Sequence, residues 1–123
     1  MKGEIPSYKV AETDSCLAFL DVFPIAKGHT LVIPKKEVDY LFDVDDALLS
    51  DMIVFSKRLA HAIEKSIPCL RVGVAVVGLE VPHAHIHLIP LHSIHDIDFS
   101  RPKLKFSPDE MMAIAAKIKA EFI

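Results

Sequence analysis

The chain has 123 residues, 51% hydrophobic and 25% charged, ordinary figures for one globular domain with a proper core. Its net charge of −3 gives no electrostatic reason to expect a polynucleotide or a membrane surface as partner. Cys16 and Cys69, far apart and without a C-x-x-C pair, exclude a disulfide scaffold or a zinc ribbon; with no signal pattern and no bilayer-length apolar run, the expected location is the cytoplasm.

Tyr8 to Glu12, Cys16 to Val22 and His29 to Pro34 are short runs rich in Val, Leu, Phe and Ile, separated by Thr13-Asp14-Ser15 and by Pro24 through Gly28. They predict three strands joined by turns. A long helix is predicted from about Asp45 to Lys65, because Leu48, Met52, Phe55 and Leu59 recur on one helical face. Leu49, Ile53, Ala60 and Ile63 broaden that face, and Pro68 stands just beyond its end. Arg71 to Val77 and Pro82 to Ile89 read as two further strands about a tight turn at Gly78. His92 to Phe106 is irregular, with His92 and His95 read as solvated loop residues and His61 as an ordinary surface or core histidine. Ser107-Pro108-Asp109-Glu110 then opens a second helix with an N-cap serine, a proline at the first position and a capping-box glutamate. Met111, Ala115, Ile118 and Phe122 form its apolar stripe. The order β-β-β-α-β-β-α, with short links between consecutive strands, implies an α+β fold: one antiparallel sheet with helices packed on it, in a single domain over residues 1–123.

The run Val81-Pro82-His83-Ala84-His85-Ile86-His87-Leu88-Ile89-Pro90 carries the chemistry. On a strand, His83, His85 and His87 share one face at roughly 6.5 Å intervals, and Ala84, Ile86 and Leu88 share the other. Such a row suits a phosphate group, with outer imidazoles donating to its oxygens while a neutral middle histidine attacks phosphorus. Protonation of each neighbour disfavours the next, which helps keep the middle ring neutral. H-x-H on a strand is also a common metal-ligand spacing, but that reading ranks second, because no well-placed carboxylate follows and a third ligand would have to come from elsewhere.

His83-Ala84-His85-Ile86-His87-Leu88-Ile89 resembles the signature of the histidine-triad (HIT) superfamily, in which three histidines alternate with apolar residues. GEIPSYKV at Gly3 to Val10, CLAFLDVFP at Cys16 to Pro24 and GHTLVIPKK at Gly28 to Lys36 resemble the N-terminal half of that family in the same order. The resemblance implies a HIT-like fold, with a five-stranded antiparallel sheet, a long central helix and a C-terminal helix. It also implies a homodimer with a continuous sheet, acting on purine nucleotides or nucleotide conjugates. It implies that His85 attacks the α-phosphorus and forms a nucleotidyl-histidine, which water hydrolyses to a nucleoside monophosphate. His83 and His87 match the flanking phosphate-binding positions, and His29 matches a supporting histidine on the neighbouring strand. Asp21 matches the carboxylate that accepts from ribose hydroxyls, and Ile5, Phe19 and Val22 match apolar base-pocket positions. A histidine rather than a glutamine at position 87 favours a hydrolase, with phosphoramidates as the substrate class.

Two departures bear on that expectation. Gly78-Leu79-Glu80-Val81-Pro82-His83 puts Leu79 and Glu80 where the family commonly has a glutamine and a hydroxyl residue. No N-terminal C-x-x-C pair is present, so no structural metal and no cofactor are expected. A non-catalytic nucleotide-binding module and a metal-binding H-x-H protein stand as alternatives to the hydrolase.

Overall fold

The computed structural model describes residues 8–79 and 82–122. Ile5, the remainder of Gly3–Ser7, and the pair Glu80-Val81 lie outside the described residues. Five strands, β1 (Lys9–Glu12), β2 (Cys16–Leu20), β3 (Thr30–Pro34), β4 (Arg71–Ala75) and β5 (Ile86–Leu91), form one sheet in the spatial order β1-β2-β3-β5-β4. Every neighbouring pair is antiparallel. Two helices, α1 (Asp46–Ser66) and α2 (Pro108–Glu121), complete the α+β architecture expected from the sequence. No helix of the described residues is long and apolar enough to cross a membrane.

The two helix starts follow their local chemistry. Asp45 caps α1 by accepting a hydrogen bond from the Leu48 N–H at 2.9 Å, satisfying one of the four orphan donors of a first turn. Ser107 and Glu110 form the reciprocal capping box of α2, with Pro108 at its head. Inside α1 the buried face consists of Met52, Phe55, Ser56, Leu59, Ala62 and Ile63. Ile53, predicted to broaden the apolar face, is 51% exposed and falls outside the buried one. Ser56 is inside it because its hydroxyl donates to the Met52 carbonyl at 2.7 Å and so reaches the core without an unmet donor.

Alternation along the strands separates two sheet faces. Ala18, Leu20, Val32, Ile86 and Leu88 join the core formed with α1 and α2. On the opposite face the register aligns Phe19 with Leu31, Leu31 with His87, and His87 with Ala75. That second face carries His87.

The strand predicted over Pro82 to Ile89 differs from the one observed. β5 begins at Ile86, so only His87 of the three histidines lies on a strand. Residues 82–85 leave the sheet because their polar groups bond to the end of β3 and to the connection that follows it. The His83 ring donates through Nε2 to the Pro34 carbonyl at 3.0 Å, and the Ala84 N–H donates to the Val38 carbonyl at 2.6 Å. The predicted tight turn at Gly78 is instead part of a ten-residue connection, 76–85, between β4 and β5.

Candidate active site

The turn between β2 and β3 positions the first half of the site. Asp21 donates its N–H to the His29 carbonyl at 3.0 Å, which continues the β2–β3 ladder one pair past Leu20 and Thr30. Asp21 and His29 therefore face each other on the same side of the sheet as Phe19 and Leu31. Gly28, at φ +91°, makes the left-handed step that His29 needs. The His29 N–H closes the turn on the Ala26 carbonyl at 3.1 Å.

His29 and His87 are diagonal neighbours across β3 and β5, with ring centroids 5.1 Å apart. His85, just ahead of β5, stacks edge-on against His87 at 4.8 Å. The predicted row of three on one strand face is thus replaced by His29, His87 and His85. His83 is buried on the Pro34 carbonyl and does not line the cavity formed over the other three.

The bonding partners assign the tautomers. The Ile25 N–H donates to His29 Nδ1 at 3.2 Å, so that nitrogen is bare and Nε2 carries the proton. His29 Nε2 donates to His87 Nδ1 at 2.9 Å, which leaves the His87 proton on Nε2. His85 Nδ1 donates to the His83 carbonyl at 2.7 Å, so its Nε2 holds a free lone pair. One N–H donor, His87 Nε2, and one bare ring nitrogen, His85 Nε2, stand on adjacent rings.

Burial sets the charge state. Desolvation first, then the neighbouring His87, pushes His29 down to about 3. Desolvation and then His85 push His87 down to about 4. Both rings are neutral at neutral pH. The 3.6 Å approach of Asp21 Oδ2 to His29 Nε2 is therefore not an ion pair. Asp21 itself is raised by burial against the opposing bond from the Phe23 N–H, which donates to its Oδ1 at 2.9 Å.

Asp21, His29 and His87 lie close enough to hold a metal ion, with ligand atoms within 4.8 Å of one another. The tautomers oppose it. A ligand must be a bare nitrogen, yet His29 Nε2 carries the shared proton and His87 Nδ1 accepts it. Swapping the His29 tautomer to free Nε2 would strand the buried Ile25 N–H.

A cavity of about 440 Å³ opens over these side chains. Asp21, His29, His85 and His87 form its polar part; Phe23, Ile25 and Leu31 add an apolar wall; Val77, Gly78 and Leu79 stand at the mouth. Phe99 and Lys103 complete its lining. Phe99 packs edge-on against His87 with centroids 4.8 Å apart. The Leu104 N–H ties this segment to the Pro24 carbonyl at 2.8 Å.

Sequence reasoning brought Asp21, His29, His85 and His87 to one place. Phe19 is buried across from Leu31, and Val22 is 54% exposed; among the described residues neither lines the cavity, whereas Phe23, Ile25 and Leu31 do. Ile5 lies outside the described residues. Phe99 and Lys103 were missed, because no periodicity marks an irregular segment and only the tertiary path of residues 92–106 carries them to the histidines. His92 and His95 are exposed, as expected of solvated loop residues, and His61 is exposed too.

Residues 2–94 match the HIT domain. The chain belongs to the HIT family. It is similar to the adenosine 5′-monophosphoramidase of Saccharomyces cerevisiae, at 43% identity over 73% of this chain and 58% of the yeast protein, so it spans little more than half of that relative. It is also similar to the adenosine 5′-monophosphoramidase of Schizosaccharomyces pombe, at 32% identity over 98% of this chain and 92% of the relative. Among solved structures it resembles a Hit-like protein involved in cell-cycle regulation from Bartonella henselae. That likeness has a TM-score of 0.80 and 32% identity, covering 95% of this chain and 88% of the other.

Proposed function

We propose that this HIT-family chain is a nucleotide hydrolase that cleaves nucleoside 5′-phosphoramidates, or related conjugates, at the α-phosphorus. The observation that carries the reading is the bare Nε2 of His85 beside the Nε2–H of His87 in one cavity. In the proposed reaction His85 Nε2 attacks phosphorus, and the leaving group departs with its electron pair and takes up a proton from solvent water. The nucleotidyl-imidazolium is stabilised by the Nδ1–H bond to the His83 carbonyl. Water then displaces the imidazole and releases the nucleoside monophosphate. His87 donates to a phosphoryl oxygen as charge builds there, and His29 holds His87 in the donating tautomer. His83 anchors the loop that presents His85. Asp21, with Oδ2 beside the cavity, accepts from ribose hydroxyls. The yeast relatives' names favour an adenosine phosphoramidate as first substrate.

Leu79, 87% exposed at the cavity mouth, offers a leaving group no hydrogen bond and favours the second reading, a nucleotide-binding module without turnover. Hydrolysis of adenosine 5′-phosphoramidate by the chelator-treated protein separates the two. The hydrolase reading predicts turnover in the wild type and a loss of about a thousandfold or more in His85→Asn. Binding of AMP without turnover by wild type would favour the second reading, and activity only with added metal would contradict the mechanism.

We further infer a homodimer joined at the β4 edge. Supporting it, β4 is a terminal strand of the sheet, and Leu70, Val74 and Val76 on and beside it are 77%, 59% and 42% exposed. The free state of Cys16 and Cys69 fits a cytoplasmic location.

A further inference from the structure

A nucleotide brings negative charge into a cavity where His29 and His87, both neutral at neutral pH, cannot answer it with fixed positive charge. His29 has spent both ring nitrogens on Ile25 and His87, and His87 is left with one neutral N–H donor. Among the described residues that line the cavity, Lys103 is the one ammonium or guanidinium side chain.

Lys103 is also held in place. Its Nζ donates to the Phe99 carbonyl at 2.9 Å, which uses one of three donors and leaves two. The ammonium stands 5.9 Å from the centre of the Phe99 ring, whose edge packs on His87. The backbone on either side is pinned: Arg101 Nη1 donates to the His95 carbonyl at 2.7 Å, and the Leu104 N–H to the Pro24 carbonyl at 2.8 Å. The charge acts on Asp21, His29 and His87 together, the groups of the cavity floor.

We propose that Lys103 binds the phosphoryl group of the bound nucleotide and supplies the fixed positive charge of the site. The inference rests on the nucleotide reading above and adds to it a residue outside the histidine motif. A lysine suits the role because a compact ammonium on a flexible stem can follow the phosphate as its geometry changes. The same charge makes the site select nucleotides over nucleosides.

Calorimetric titration of AMP and of adenosine into the full chain, Lys103→Met and Lys103→Arg tests this. Lys103→Met should weaken AMP binding about tenfold or more, leave adenosine binding unchanged, and be largely rescued by Lys103→Arg. Equal weakening of both ligands would mean that Lys103 only braces Phe99, and would overturn the inference. Undiminished AMP binding in Lys103→Met would overturn it while leaving the nucleotide reading intact. A wild type that binds neither ligand would overturn both.

Discussion

His29 is wholly buried, and its two nitrogens are committed in opposite senses, one accepting and one donating. Protonation would put a second donor against the Ile25 N–H, inside a desolvated pocket. The folded value, about 3, lies below the unfolded value near 6.5, so the unfolded chain binds the extra proton first. The stability linked to this ring is fully present above about pH 6.5 and is lost as pH falls toward the folded value. His87, at about 4, acts in the same direction. Between pH 6.5 and 5, before carboxylates contribute much, unfolding free energy should fall by up to about 1.4 kcal/mol per pH unit for each ring. Denaturant melts across that window should show the slope, and His29→Gln should be less stable but flatter. A wild type with pH-independent stability there would contradict the assigned charge states. At this scale the sequence disclosed the residues whose type is unusual: three alternating histidines, a fourth upstream, and Asp21 eight residues before it. It did not disclose Phe99 or Lys103, because a phenylalanine and a lysine in an irregular stretch look like any others. Neither did it separate Val22 from Phe23, which depends on where β2 ends.

Elements position these residues through their ends rather than their middles. β2 stops at Leu20, so Asp21 can accept from the Phe23 N–H; β3 starts after His29, so that ring can accept from the Ile25 N–H. Gly28 holds this turn together. A Cβ there would sit 3.1 Å from Ile67 Cγ1 and 3.3 Å from Pro90 Cγ, at a φ of +91° that L side chains rarely adopt. Gly28→Ala should therefore cost about 1–2 kcal/mol of stability and displace His29, lowering activity as well. Thermal melts and phosphoramidate assays check this; a variant equal to wild type in both would sink the argument. The helices were legible almost to the residue, since caps and 3.6-residue periodicity are local properties. The strand carrying the histidines was legible as an element but not in extent. Alternation continued through residues 82–85, yet His83 and Ala84 bond to Pro34 and Val38, contacts some fifty residues distant that no local pattern encodes.

Over the whole molecule, the sheet works as a partition. One face is committed to α1 and α2, while the other carries the cavity, lined in part by the segment after β5. The terminal strand β4 keeps unpaired backbone groups and exposed valines, which the inferred dimer would cover. Val74→Lys should convert the dimer to monomer in light scattering while the fold persists, because Val74 is 59% exposed in the isolated chain. A wild type that is monomeric at assay concentration would contradict the dimer. The antiparallel α+β architecture was readable from short connections between strands, whereas the spatial order, with β5 inserted between β3 and β4, depends on long-range pairing.

The central claim is covalent catalysis by His85, and the stereochemical course at phosphorus tests it most directly. A nucleoside phosphoramidate made chiral at the α-phosphorus would be hydrolysed in isotopically labelled water and the configuration of the product monophosphate determined. Two in-line displacements, first by His85 and then by water, predict net retention. Net inversion, the mark of a single direct attack by water, would contradict the account.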